Sequence, residues 1–227
     1  MRIHLLLIIL TLTLSSMGPT TLTAKNKRVV ENRTDNSRAL LKYSGKLTGS
    51  VNNVSISINV SARLEVDSST GVRYEVSMQG PKISSHIGIF YKFSNPYQTI
   101  IYNFVTHKSE VNKGGGAIED HEVAVIGKDS VNNYLCTHLQ QAKNSETQDF
   151  WMSTSVPGFA QVAGALKSID PNLNMMVIIQ SVFKWGGLVR LKWVAVTSQG
   201  EATTLTLNLI ESQSGVRFPV GEFDVPK

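Results

Sequence analysis

Val54-Ser55-Ile56-Ser57-Ile58-Asn59-Val60-Ser61-Ala62-Arg63-Leu64-Glu65-Val66 alternates apolar and polar side chains without exception. A period of two puts every apolar side chain on one face of an extended chain, so this stretch reads as a long strand with one buried and one wetted face. Asp67-Ser68-Ser69-Thr70-Gly71 then turns the chain into Val72-Arg73-Tyr74-Glu75-Val76-Ser77-Met78, and the two runs read as a hairpin. Further strands are expected at Ile87 to Phe93, Thr99 to Phe104, His121 to Ile126, Tyr134 to Gln140 and Gln148 to Ser153, each bounded by Gly, Asn, Asp or Pro signals. Such a series implies a meandering antiparallel sheet.

The alternation breaks between Pro157 and Trp185. After Pro157-Gly158, the residues Phe159, Val162, Ala163, Leu166 and Ile169 fall on one side of a helix and Gln161, Lys167 and Ser168 on the other. Asp170-Pro171 supplies a carboxylate cap followed by a proline at the first helical position. It predicts a second helix over Leu173 to Phe183, whose polar stripe is only Gln180, Ser181 and Lys184. A helix apolar around most of its circumference must be covered on nearly all sides. Gly186-Gly187 stops it, and Leu188 to Val196 and Ala202 to Ile210 form a second hairpin around Thr197-Ser198-Gln199-Gly200. The expected fold is mainly β (α+β), a curved antiparallel sheet or half-barrel covered by a helical hairpin inserted near the C-terminal end.

Arg2 and His4 precede Leu5-Leu6-Leu7-Ile8-Ile9-Leu10-Thr11-Leu12-Thr13-Leu14, which reads as a secretory signal peptide over 1–24 with a cleavage site at Leu22-Thr23-Ala24. This run is shorter than the roughly 20 residues a spanning helix needs, so no transmembrane segment is expected after leader removal. Residues 25–39 are polar and read as a flexible N-terminal segment, and 40–227 as a single domain large enough for a substantial core. The net charge of +5 gathers at Lys25, Lys27, Arg28, Arg33 and Arg38 and is scattered elsewhere, which points to a solvated tail and no nucleic-acid partner. The single cysteine, Cys136, cannot form an intramolecular disulfide and reads as a buried, inert thiol.

No catalytic constellation emerges. Ser181-Val182-Phe183-Lys184 fits S-x-x-K, yet no K-T-G or S-D-N accompanies it, and both polar residues lie on the stripe an amphipathic helix needs. Glu119-Asp120-His121-Glu122 gathers carboxylates around an imidazole, but adjacent strand residues point to opposite faces, so only alternate members could converge on a metal. His86, His107 and His138 show no ligand spacing, and Lys113-Gly114-Gly115-Gly116 lacks the spacing of a phosphate cradle and reads as a loop. The sequons at Asn32, Asn53 and Asn59 would matter only in a eukaryotic secretory pathway. The reading is therefore of a non-enzyme with no cofactor and no metal.

His121-Glu122-Val123-Ala124-Val125-Ile126-Gly127, Asn133-Tyr134-Leu135-Cys136-Thr137-His138-Leu139, Phe150-Trp151-Met152, the Pro157-Gly158-Phe159 helix start and the closing Phe218-Pro219-Val220-Gly221-Glu222-Phe223-Asp224-Val225-Pro226 together resemble a family of exported bacterial proteins of unknown function. That family pairs a tyrosine-cysteine strand with a tryptophan strand and ends in a phenylalanine-x-valine-proline strand. It resembles in turn the open half-barrel of the outer-membrane lipoprotein carriers LolA and LolB. The resemblance implies an exported, periplasmic or extracellular protein of the cell envelope, with Trp151, Phe159, Val162, Leu166, Met175, Met176, Ile179 and Phe183 lining the concave face or its helical lid. Those carriers hold the lid with a strand arginine, and Arg63 and Arg73 lie on strands here, without either being assigned that role. Two functions follow: a non-catalytic protein that binds a lipid, a lipoprotein acyl chain or another apolar ligand, or a structural module whose sheet docks an envelope protein.

Overall fold

The computed structural model describes residues 37–51, 54–95, 98–112, 123–169 and 182–226 of the 227-residue chain. Eleven strands form one sheet: β1 (Arg38–Val51), β2 (Val54–Asp67), β3 (Gly71–Gly80), β4 (Ile83–Lys92), β5 (Thr99–Asn103), β6 (Lys108–Asn112), β7 (Ala124–Val131), β8 (Tyr134–Lys143), β9 (Glu146–Ser153), β10 (Gly187–Val196) and β11 (Ala202–Ser214). One α-helix, α1 (Phe159–Leu166), lies between β9 and β10 among the described residues. The order across the sheet is β6-β5-β4-β3-β2-β1-β11-β10-β9-β8-β7, and every pairing is antiparallel. Two meanders, β1 to β6 and β7 to β11, are thus fused where the first strand pairs with the last.

That topology requires curvature. β6 and β7 are consecutive in the chain but occupy opposite edges. Laid flat, ten strand spacings would separate the edges by about 48 Å. The twelve residue steps from Asn112 to Ala124 span at most about 43 Å fully extended. The edges must approach one another, and irregularities in register at Lys42/Tyr43, Leu188/Arg190 and Val125/Gly127 mark places where the ladder bends.

β2 follows its sequence pattern on the concave side, where Ile58, Val60, Ala62, Leu64 and Val66 are all buried. On the other side the pattern fails at one end: Glu65 and Asp67 are buried as well. Asp67 belongs to the turn, accepting from the Ser69 backbone N–H at 2.9 Å and from Arg38 Nε at 2.7 Å. Glu65 lies against Arg63 and Arg73, and both arginines also meet Glu222 of the segment after β11, which returns to the outer face.

Several expectations change. β1 starts at Arg38, so Arg38 and Ala39, placed by their sequence in the flexible segment, belong to the sheet, and Ala39 is fully buried. β7 runs on to Val131 because Gly127, read as a strand end, sits at a register shift. β6 was not expected; it is an edge strand with exposed side chains and carries no alternation to reveal it. The first helix closes at Leu166, and Ile169 lies in tighter turns where Ser168 N–H donates to Ala165 O at 3.0 Å and Ile169 N–H to Leu166 O at 3.2 Å. The second helix of the expected hairpin lies outside the described residues except at its end, where Val182 is α-helical and Phe183–Trp185 forms a 3-10 turn. The closing Phe218 to Pro226, expected as a strand, consists of turns and coil.

Candidate functional site

The concave face carries three adjoining apolar clusters. The first joins Ala39, Leu41 and Tyr43 of β1 and Ala62, Leu64 and Val66 of β2 to Val162, Ala165 and Leu166 of α1. Among the described residues the second contains strand side chains alone: Leu47, Ile58, Val60, Trp193, Leu205 and Leu207, with Val76, Met78, Ile83, Leu191 and Ala195 partly exposed around them. The third joins Leu139, Phe150 and Met152 to Val182. Shared neighbours make them continuous, because Val76 touches the first two, Leu191 the second and third, and Phe183 and Leu188 the first and third.

Two glycines and two tyrosines fix how α1 sits. Gly158 precedes the helix at φ 78°, a left-handed conformation that disfavours any side chain, and a Cβ there would lie 2.6 Å from Gln213 O and 2.8 Å from Ala39 Cβ. The chain therefore enters α1 in close contact with β1 and β11. Gly186, at φ 125°, lets the chain re-enter the sheet where a Cβ would come within 2.5 Å of Ser153 O. Tyr91 O–H donates to Ser168 O at 3.4 Å and holds the end of α1 to β4, while Tyr43 O–H donates to Leu188 O at 3.2 Å across the concave face. Burial raises both Tyr43 and Tyr74 well above the ordinary phenol range, Tyr74 to about 12, so both hydroxyls stay neutral on this face.

The sequence-derived residues divide into groups. Val162 and Leu166 are at most 1 % exposed and form the helix–sheet contact. Phe159 and Phe183 meet at the helix entrance with ring centroids 5.9 Å apart, and both stay partly exposed. Trp151 packs against the first cluster but has a polar setting: its indole N–H donates to Asp129 Oδ2 at 3.0 Å, its ring stacks on His138 at 4.4 Å, and the Arg190 guanidinium lies 5.7 Å from the ring centre. Met175, Met176 and Ile179 lie outside the described residues, as do Ser181 of the S-x-x-K, the glycine run at 113–116 and Glu119 to Glu122. Arg63 and Arg73 pair with Glu65, Glu75 and Glu222 on the outer face, so neither ties α1 down. The second cluster also brings together Val76, Met78, Ile83, Leu191 and Trp193, which the sequence reading did not name as candidates. Their signal was strand alternation, which marks a face without telling whether a helix covers it.

Among the described residues no cluster of three or more His, Cys, Asp or Glu side chains is arranged to hold a metal ion, and no helix is long and apolar enough to cross a membrane. Cys136 is buried, its S–H pointing to Tyr134 O at 3.5 Å, and burial pushes the thiol up. Its labelling by a thiol reagent is expected to be at least about tenfold slower in the native protein than in denaturant. Equal rates in the two conditions would contradict this placement.

The model of a domain of unknown function, DUF4412, matches residues 59–214, which run from β2 through the end of β11. The chain belongs to the DUF4412 family. No curated protein matches it. Among solved structures, this DUF4412 chain is similar to an uncharacterised conserved protein of Thermus thermophilus at 7 % identity and a TM-score of 0.42, covering 82 % of this chain and 85 % of that one. A putative outer-membrane lipoprotein-sorting protein domain of Vibrio parahaemolyticus matches at 9 % identity and a TM-score of 0.35, covering 82 % and 89 %. A LolA superfamily protein of Nitrosomonas europaea matches at 6 % identity and a TM-score of 0.31, covering 85 % and 92 %.

Proposed function

We propose that this DUF4412 protein binds a lipid or another apolar ligand against the concave face of its sheet, without catalysing a reaction. The supporting observation is the uneven cover of that face. Among the described residues, α1 packs on β1 and β2, while the second cluster consists of strand side chains alone, with Val76, Met78, Ile83, Leu191 and Ala195 partly exposed. A continuous apolar surface that is only partly covered suits an acyl chain, and methionine adapts to ligands of varied shape. In this reading Phe159 and Phe183 touch the ligand, Val162 and Leu166 anchor the helix, and Trp151, Met175, Met176 and Ile179 are proposed as further contacts. The leader over 1–24 is proposed to export the protein to the periplasm or beyond, where lipoprotein acyl chains or membrane lipids would be its partners. Titration with a fluorescent fatty acid is expected to give saturable binding, and emission that grows only linearly with probe would count against the reading.

The second reading, docking of an envelope protein by the sheet, is supported by one observation. The edge strand β7 and its neighbour expose Val125, Ile126 and Leu135. The irregularity beside Gly127 and the charge of Lys128 on the same strand guard against indiscriminate pairing there.

A further inference from the structure

The outer face of β2 and β3 holds more acid than base in a small space. Arg63 and Glu65 of β2 lie opposite Glu75 and Arg73 of β3, and Glu222 enters from the C-terminal segment. Arg73 is the hub. Its Nη1 donates to Glu222 Oε1 at 2.6 Å and to the Glu222 backbone O at 2.8 Å, its Nε donates to Glu75 Oε1 at 2.7 Å, and the same Nε lies 3.8 Å from Glu65 Oε2. Arg63 Nη2 donates to Glu65 Oε1 and lies 3.7 Å from Glu222 Oε1. Three carboxylates thus share two guanidinium groups. His86 Nε2, 3.4 Å from Glu75 Oε2, adds a positive charge only when protonated. The remaining charges nearby are already paired: Lys42, opposite Arg63, with Glu211 at 2.8 Å, Arg38 with Asp67 at 2.7 Å, and Lys92 with Asp224.

Glu222 belongs to a compact strap. Glu222 N–H donates to Pro219 O at 3.2 Å and Asp224 N–H to Gly221 O at 2.8 Å, Phe223 is buried, and Phe218 meets it edge-on with centroids 5.4 Å apart. The strap is fastened by Glu222 to Arg73 and by Asp224 to Lys92. We propose that the segment from Phe218 to Pro226 is a proton-linked latch, closed over the outer face while the Glu65–Glu75–Glu222 cluster holds one proton and opening when that proton is lost. Glu65 is the group that holds it. It is fully buried, and its Oε2 has no hydrogen-bond partner among the described residues. Burial raises it to about 7 against the pull of Arg63, with the Glu222 charge raising it further and Arg73 lowering it.

The sign follows from linkage. The closed state holds Glu65 above its ordinary value of 4.5, so closure is favoured fully below that value and is lost as pH rises through about 7. Opening removes Glu222 and admits water, which returns Glu65 toward its ordinary value and releases the proton. One proton per event changes the open-to-closed ratio by up to about tenfold per pH unit within that window, and the ratio levels off above it.

The test is hydrogen exchange of the full chain, read by mass spectrometry on peptides covering 218–226 at pH 5 and pH 8 and corrected for intrinsic exchange. The parent is expected to open at least about tenfold more at pH 8. Glu65→Gln, which keeps the shape and removes the titration, is expected to abolish the difference. Glu222→Gln, which removes the strap's charge but not its cover, is expected to reduce the difference measurably and covers the case in which the buried variant fails to fold. Equal protection of the parent at both pH values, or the full parental change in either folded variant, would overturn the latch.

Discussion

Gly45→Ala is expected to cost on the order of 5 kcal/mol of folding stability, comparable to the whole margin of a domain. Gly45 lies in the middle of β1, paired with Leu207 of β11 on one side and Val60 of β2 on the other. A Cβ there would fall 1.7 Å from Thr206 O, 2.7 Å from Thr206 C and 2.9 Å from Leu207 Cα. These are backbone atoms in a strand held on both edges, so β11 cannot give way without breaking the ladder that fuses the two meanders. Gly164→Ala is the control, because nothing lies within 4 Å of its added Cβ and an alanine in a helix stabilises by about 0.4–1 kcal/mol. Denaturant unfolding of both variants checks the contrast. A Gly45→Ala protein as stable as its parent would mean that β1 and β11 do not pair in this register.

The second large effect separates core from binding surface within one helix. Leu166→Ala removes a side chain that is 1 % exposed and packs in the first cluster, and is expected to cost about 2–5 kcal/mol through lost burial and the cavity left behind. Phe159→Ala alters a ring that is only partly buried and meets Phe183 at the helix entrance. It is expected to cost less stability and to weaken fatty-acid binding at least about tenfold, the equivalent of losing one well-buried aromatic contact. Thermal melting beside the probe titration resolves the two. If Leu166→Ala melts with the parent, α1 is not seated on the sheet; if Phe159→Ala binds probe as tightly as the parent, the helix entrance is not part of the site.

Sequence patterning was most informative where one face of a strand is buried. β2 and β3 were legible almost to the residue because Val54 to Met78 alternates apolar with polar side chains and turns at Asp67 to Gly71. β1 was hidden because Gly45 and Gly49 occupy concave positions where the pattern calls for apolar side chains, while Leu40 is buried on the opposite face. β6 was hidden because an edge strand with both faces in water needs no pattern. The site was legible only in part, for the same reason. Amphipathic spacing identifies Val162 and Leu166 as facing inward, and both are buried in the first cluster, but inward-facing spacing is the same for residues that fill a core and residues that line a cavity. The acid-rich cluster around Arg73 had no sequence signal, since it joins β2, β3 and a segment more than 140 residues away. Glu65 sits at a position that alternation assigns to water, yet it is buried beside Arg63 and Arg73.

The central claim, an apolar ligand on the concave face, is tested most directly by native mass spectrometry of the full chain purified from a host that exports it. The account predicts a population heavier than the polypeptide by the mass of an acyl-chain ligand, released on collisional activation and depleted in Phe159→Ala. A bare polypeptide mass under gentle conditions, together with no saturable uptake of the fluorescent fatty acid, would contradict it.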